Sequence, residues 1–592
     1  MNKKLFLGII IINIAFFSNA QVAVEKKESD IELLNLIPVE SIYMHTNSTM
    51  FLVGEYLYYS IYNLKKQENS LSDLSKVAFV ELIDSAGKSV FEQSIKIKNG
   101  RGTGDYFIPT NVPSGNYKLI AYTSWMRNNT NNPYFSQNIV IINPYQSSQD
   151  QILAESKKDS ISESIVYSGI VDKADDTSRM LSLTLNKPSY STREKVEMNL
   201  LNTENSEIYY SVSVRKINTV DQPDNVTAIS YSEKLTKSDL ETNFRNTDSI
   251  FLPDLRGHIL KGQIIPISDS SELDLADTKV ALSIPGEQFF LRIANTDSNG
   301  NFYFNIDQSF TSDLAKIQVL DSNLEDYKVG INRNNSVDYD MSSFDDFRID
   351  SSMKSMIEER SVHNQIENAF YTKKPDTIKT VDMSNLFNGI KTLEYDLDDY
   401  TRFKTVKETF IEVLEYARLR RNPEGKYELG VLGYKPYENF DGTPLLIIDG
   451  LLVQDPTDFV ESYDSRKIDK IKIIRDQYFL GSKSYKGVIM IETFEKDYIE
   501  YYNPEYVKEI KLKSIETPKN YFKQTYDKAS KDYEDIPDFR YQLLWEPHKY
   551  MNESSETLSF YTSDVTRTFE ILIQGFSEDI QPISIRKTFT VK

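Results

Sequence analysis

The sequence contains no cysteine. That absence excludes disulfide staples, thiolate metal sites, a cysteine nucleophile and lipid anchoring through an N-terminal cysteine. Histidine is scarce, with His45, His258, His363 and His548 the whole complement. Four scattered imidazoles do not suggest a multi-histidine metal centre, and none stands in a context that would supply the base of a Ser/His/Asp group. Positive charge is in deficit: 68 Lys and Arg face 88 Asp and Glu, a formal net charge of −20. Such a surface disfavours nucleic acid, and no basic stripe interrupts it. Nucleotide fingerprints are missing too, since neither a Walker loop nor a dinucleotide-binding glycine pattern occurs. Carboxylate pairs such as Asp345-Asp346 and Asp398-Asp399 carry no specificity for glycosidase chemistry in so acidic a chain. The expectation is therefore of no catalytic residue, no cofactor and no metal.

Long apolar runs are equally few. The one from Leu5 to Phe17 follows Lys3 and Lys4 and ends at Ser18-Asn19-Ala20, the pattern of a signal peptide over 1–20 cleaved before Gln21. It is shorter than the roughly 18 to 20 residues a membrane span needs. An exported chain, peripheral to the membrane rather than spanning it, is expected.

What the chain has in quantity is aromatic: 38 Tyr and 31 Phe, spread over a length that suggests roughly four domains. Residues 37–145 alternate in short strand-like runs with turns between them. After the Pro113-Ser-Gly115 turn, Tyr117, Leu119, Ala121 and Thr123 fall on one face and Lys118, Ile120 and Tyr122 on the other. Trp125 reads as a core anchor closing that strand. A polar stretch, Gln146 to Ser164, reads as a linker, and 165–250 as a second sandwich with strands at 181–185, 196–200 and 210–214. Within it, Asn218 to Asp248 lacks a clear period; Tyr231 to Leu235 is its best candidate for local order. A third sandwich covers 252–335. There Asp297-Ser-Asn-Gly300 matches the start of a calcium loop, but position twelve is Gln308, so a tight Asn299-Gly300 hairpin turn is the simpler reading.

Residues 337–396 read as a linker containing a helix from Met353 to Phe370, with Met356, Val362, Ile366 and Phe370 on its apolar face. Residues 397–495 mix helix and strand. Thr405 and Glu408 have capping-box spacing, and Leu445 to Ile448 is an uninterrupted apolar strand, hence buried on both faces, that turns at Asp449-Gly450. Ile468 to Ile474 and Val488 to Ile491 are its expected partners. In this stretch Arg418, Arg420, Arg421, Arg466, Lys470 and Lys472 form the main concentration of basic residues, a candidate face for an anionic partner. The last segment, 500–592, returns to strands, with Phe569, Ile571 and Ile573 on one face.

Several of these segments resemble known families. Pro38 to Thr46, Gly54 to Ile61, Gly104 to Pro109 and Pro113 to Asn128 resemble macroglobulin-type β-sandwich domains, in the arrangement of a group of large exported Bacteroidota proteins. Thr296 to Phe304 resembles a carboxypeptidase-regulatory-like sandwich. Thr443 to Val453, Ile468 to Arg475 and Gly487 to Thr493 resemble the plug domain of TonB-dependent outer-membrane transporters, with Ile448, Asp449, Gly450 and Gly487 as its structural motif. A barrel of about 22 strands at roughly ten residues each would not fit into residues 494–592. The thioester of protease-trapping macroglobulins needs a cysteine, so the resemblance implies fold and not trapping chemistry. Together these features imply a mainly β chain of tandem macroglobulin/immunoglobulin-like sandwiches plus a small α/β plug-like domain. The implied role is a periplasmic, non-catalytic scaffold or docking subunit of an outer-membrane β-barrel protein complex. The alternatives are a glycan- or peptide-binding protein with an aromatic platform, and a thioester-less protease inhibitor with Asn218 to Asp248 as its bait.

Overall fold

A computed structural model describes residues 28–592 apart from 130–133, 151, 154–177, 219–222, 238–249, 268–274, 287, 321–325, 332–343, 345–346, 379–385, 435–441, 528–532 and 534. The expected signal peptide and most of the Gln146 to Ser164 linker lie outside these residues, as does Asp345-Asp346. The chain is mainly β, built as tandem sandwiches with a smaller α/β unit.

In the first sandwich, Glu40–Thr46, Tyr56–Lys65, Ser70–Leu71 and Arg101–Phe107 form one sheet. The other has the order Met50–Leu52, Phe135–Ile142, Gly115–Tyr122, Val77–Asp84, Ser89–Lys96 and Ile515–Glu516. Its core is aromatic, with Tyr43, Tyr59 and Tyr62 wholly buried. Trp125 is also fully buried and donates from Nε1 to Pro38 O at 2.9 Å, as an anchor should.

The segments read as two separate sandwiches, 165–250 and 500–592, are halves of one. Lys195–Asn202 lies between Leu181–Leu185 and Ser555–Tyr561. Opposite it, Ile208–Lys216 is the central strand between Arg567–Ser577 and Gln542–Met551, both antiparallel to it. Val196, Met198 and Leu200 meet Phe569, Ile571 and Ile573 in a single core. A strand buried on both faces leaves no backbone N–H or C=O open to water, so both of its edges need hydrogen-bonding partners. Nothing in the local sequence of 208–216 tells that those partners lie more than 300 residues downstream.

The third sandwich sets Asn301–Ile306, His258–Pro266 and Tyr327–Ile331 against Phe290–Asn295, Lys279–Ile284, Leu314–Val319 and Val507–Lys511. Its 297–301 turn is tight, with Gly300 N donating to Asp297 O at 2.9 Å, but it joins strands of the two opposite sheets and so is not the expected hairpin, and only Gly300 has positive φ (77°), not Asn299. The Asp297 carboxylate is occupied, accepting from the backbone N–H groups of Asn299 and Asn301, both at 2.9 Å.

The α/β unit has the strand order Leu393–Asp396, Ile468–Ile474, Val488–Thr493, Leu445–Ile448, Leu451–Leu452. Val406–Glu412 starts at the expected capping box, in which Thr405 and Glu408 exchange side-chain-to-backbone hydrogen bonds at 3.2 Å. Leu445–Ile448 is buried on both faces, but by two different bodies. Leu446 and Ile448 face the unit's own core, whereas Leu445 and Ile447 pack with Ala281 and Leu291 of the third sandwich. The α/β unit is thus fused to that sandwich rather than separated from it.

The chain beyond Thr493 stitches the units together. Val507–Lys511 extends the third sandwich, Ile515–Glu516 lies parallel to Ser89–Lys96 in the first, and Lys519–Asn520 pairs with Thr377–Ile378 before the chain enters the second. The stretch read as a linker, 337–396, also docks. Its helix, Lys354–Ala369, keeps Met356, Ile366 and Phe370 of the expected face half-buried, but Val362 is 53% exposed and the most buried positions are the polar Arg360 and Ser361. The reason is what lies beneath. The strand end and turn at 50–55 present carbonyls and a carboxylate, so polar side chains satisfy the interface better than apolar ones would.

Candidate functional site

A cavity of about 210 Å³ opens where the first sandwich, the second sandwich, the helix Lys354–Ala369 and the strap 519–522 meet. The helix is held over it by a clamp. Arg360 donates from Nε and Nη2 to the two carboxylate oxygens of Glu55 at 2.6 and 2.7 Å, from Nη1 to Asn218 Oδ1 at 2.8 Å, and from Nη2 to Met50 O at 3.1 Å. One turn on, Asn364 donates to Val53 O at 3.0 Å, and Asn368 to Gly54 O at 2.9 Å. From the other side, Glu367 accepts from Phe539 N at 2.6 Å, and His363 stacks on the Phe539 ring at 4.3 Å. Lys374 bridges Glu367 (3.0 Å) and Asp538 (3.8 Å), and Asp538 is also held by Arg540 at 2.6 Å.

One wall of the cavity is a row of aromatic rings. Tyr371, Tyr56, Tyr58 and Trp545 follow one another at centroid separations of 6.2, 5.6 and 5.9 Å, each pair within 24° of parallel. Tyr56 and Tyr58 sit two apart on one strand and so share a face. Tyr371 comes from the turn after the helix, and Trp545 from the second sandwich. Tyr371 is 42% exposed and forms the open end; Trp545 is 4% exposed, and its Nε1 is buried without an acceptor. Tyr521 of the strap closes edge-on to Tyr58 at 5.1 Å.

The two ends differ electrostatically. Around Tyr541 the cations are each matched: Arg360 with Glu55, Arg215 with Glu570 at 3.7 Å, and Lys216 with Glu359 at 3.8 Å. Burial pulls the Arg215 guanidinium down to about 10 and also lowers Lys216. At the other end, Asp105 accepts from Lys519 at 2.8 Å and from the Tyr521 hydroxyl at 3.2 Å. Burial, with Asp105 nearby, raises the carboxyls of Asp376 and Glu516, and burial with Asp376 and Asp105 nearby pushes the Tyr58 phenol well up.

The basic residues singled out in the sequence do not form one bare face. Arg418, Arg420 and Arg421 lie on the hairpin Ala417–Arg421/Tyr427–Val431, apart from Arg466, Lys470 and Lys472 at and before Ile468–Ile474. Arg420 pairs with Glu428 (2.9 Å), Arg421 with Glu461 (2.6 Å), Arg466 with Asp464 (2.5 Å), Lys470 with Glu394 (3.4 Å) and Lys472 with Glu492 (2.6 Å). Arg418 makes no ion pair among the described residues.

The plug-like motif residues are structural in position. Ile448 is wholly buried. Asp449 and Gly450 both have positive φ (48° and 87°), the geometry of a two-residue hairpin turn. The Asp449 carboxylate accepts from Thr493 N at 2.8 Å and Thr493 Oγ1 at 2.7 Å. Gly450 and Gly487 have no room for a side chain, since a Cβ would lie 2.5 Å from Phe289 Cβ and 2.6 Å from Ile474 O respectively.

His45 is wholly buried between the first two sandwiches, with Nδ1 2.7 Å from Ser211 Oγ and Nε2 lacking a partner. Ser211 is equally buried, so this pair has no access to a substrate. In Asn218 to Asp248, the helix Ala228–Lys237 contains Tyr231, which packs 5.5 Å from Tyr43; residues 219–222 and 238–248 are outside the described set.

The sequence reading missed the cavity altogether. Its walls come from 47–58, 215–218, 360–376 and 521–545, each more than 140 residues from the next, and the only local trace is the Tyr-x-Tyr alternation at 56–58 and the aromatic density at 539–545.

No family model matches the sequence, and no curated protein matches it. Among solved structures, Salmonella alpha-2-macroglobulin reacted with methylamine is 9% identical with a TM-score of 0.23, over 94% of this chain and 40% of that one. The native conformation of the E. coli alpha-2-macroglobulin gives the same values. The E. coli protein activated by porcine elastase is 8% identical with a TM-score of 0.21, over 93% of this chain and 44% of that one. The chain thus spans less than half the length of these proteins, and a likeness this distant carries no role across to it.

Proposed function

We propose that this chain is an exported, non-catalytic docking protein of the cell envelope, which holds a segment of an outer-membrane β-barrel complex in the junction cavity. The sandwiches and the plug-like α/β unit serve as the frame. One observation carries the reading: three remote segments converge on an aromatic row that lines the junction cavity and opens at Tyr371. The α/β unit is a poorer docking face, because all but one of its candidate basic residues are already neutralised by neighbouring carboxylates.

The same aromatic row favours a second reading, a glycan-binding cleft. A photo-crosslinking residue placed at Tyr371, in the full-length protein within intact envelopes, tests docking. The expected result is a discrete protein adduct from position 371 and none from position 420, on the outer hairpin. Failure to form any protein adduct at 371, or identical adducts from both positions, would overturn it.

A further inference from the structure

We infer that the helix Lys354–Ala369 is a hinged lid on the junction cavity, anchored by its first turns and able to lift from Arg360 onward while the sandwiches stay folded. The inference goes beyond the docking reading: it rests on how the helix is held, not on what the cavity holds.

The two halves of this helix are fastened by different chemistry. Around its start, Met353, Met356 and Ile357 pack with Met50, Leu52 and Val140 of the first sandwich in one apolar cluster. Lifting them would return apolar surface to water, with nothing to offset the loss. From Arg360 onward the fastening is mainly polar. It consists of the Arg360–Glu55 pair, the bonds from Asn364 and Asn368 to the carbonyls of Val53 and Gly54, and Glu367 with Lys374 on the Phe539 side. The ring contacts of this half, His363 on Phe539 and Tyr371 beside Tyr56, join side chains that are all partly exposed. A hydrogen bond traded for water costs little net, and when the half lifts as a unit both members of the ion pair regain their hydration together. The anchored start has no such exchange open to it.

The polar half is also the half that covers the cavity. Asn364, Glu367, Asn368, Tyr371 and Lys374 line it, with Arg360 at the boundary, whereas Met353, Met356 and Ile357 do not. Lifting from Arg360 onward therefore uncovers the aromatic row along its length and leaves the apolar cluster closed. Openings of this kind occur where apolar packing is sparse and hydrogen bonds can pass to solvent.

The absence of native cysteine lets a single introduced thiol report the opening. Ser361, the residue after Arg360, is buried with its Oγ 3.1 Å from the Tyr145 hydroxyl, and Ser211 is wholly buried beside His45. In the full-length protein under native conditions, Ser361→Cys should react with a thiol reagent at least about tenfold faster than Ser211→Cys. Arg360→Met leaves Glu55 unpaired only while the lid is closed. It should raise the Ser361→Cys rate about a hundredfold and keep that of Ser211→Cys within about threefold. Asn368→Ala removes one bond of the latch at an exposed position, should give about three- to tenfold, and decides the matter where Arg360→Met fails to fold. Acrylamide quenching reads the cavity itself. Trp545 lines it and Trp125 is wholly buried in the first sandwich, so the quenchable share of the fluorescence should rise with the same variants. Equal rates at 361 and 211, rates that rise together, or faster labelling at 361 with unchanged quenching would overturn the lid.

Discussion

Replacing Arg360 by methionine should unlock the helix Lys354–Ala369 from the first sandwich. The guanidinium is 5% exposed and makes four hydrogen bonds, two of them a bidentate pair with Glu55, whose side chain is 15% exposed. Methionine keeps much of the aliphatic contact, so the loss is electrostatic. Removing one partner of a buried ion pair costs about 3–5 kcal/mol, because the other charge is left uncompensated. Glu55 keeps one bond, from Leu52 N at 3.0 Å, and some access to water, which places the expected cost near the bottom of that range, about 3 kcal/mol. For a cooperative unit of 150–250 residues this corresponds to a fall in Tm of about 6–12 °C. The assay is urea unfolding followed by tryptophan fluorescence, with Trp125 reporting the first sandwich and Trp545 the junction. Separate transitions must be fitted separately, since a multidomain chain is not two-state. Glu55→Gln with Arg360→Met completes a double-mutant cycle, in which the paired replacement should recover at least about 1 kcal/mol relative to the sum of the singles. A single-variant cost below about 0.5 kcal/mol, or strict additivity in the cycle, would refute the clamp.

Gly450→Val should destabilise the α/β unit and the third sandwich together, because the turn has φ +87° and the new Cβ would meet Phe289 across their shared core. Limited proteolysis that opened the α/β unit while leaving 258–331 protected would count against that fusion. Burial holds the His45 imidazole down to about 3, below its unfolded value, so its contribution is fully present above about pH 6.5 and is lost as pH falls towards 3. Asp254, raised to about 6 by burial, runs the other way. His45→Gln should therefore flatten the acid side of the urea-midpoint curve by up to about 1.4 kcal/mol per pH unit, and an unchanged slope would contradict the burial argument. Glutamate at Arg466, Lys470 and Lys472 together should leave partner capture intact, since each residue is already paired with a carboxylate. Loss of capture by a folded triple variant would return docking to that face.

Local patterns in the chain were sufficient for its strands, turns and caps. The Thr405/Glu408 capping box, the Asp449-Gly450 turn and the doubly buried run Leu445 to Ile448 depend on neighbours a few residues away, and such short-range chemistry is written in order along the sequence. Trp125 as a core anchor was legible for the same reason: a large ring following an alternating strand must be buried somewhere close. Which segments share a body was not legible. Ile208–Lys216 takes both its neighbours from beyond residue 541, and the second face of Leu445–Ile448 is covered by another sandwich. Hydrophobic burial is non-directional, so an apolar face states that it needs cover without naming what covers it. The helix at 354–369 shows the converse, where polar side chains take the most buried positions because the surface beneath carries backbone carbonyls and Glu55. The cavity exists only through these tertiary choices. Tyr56, Tyr371, Tyr521 and Trp545 acquire a common surrounding when three distant stretches of chain are brought together, and no spacing along the chain encodes that meeting.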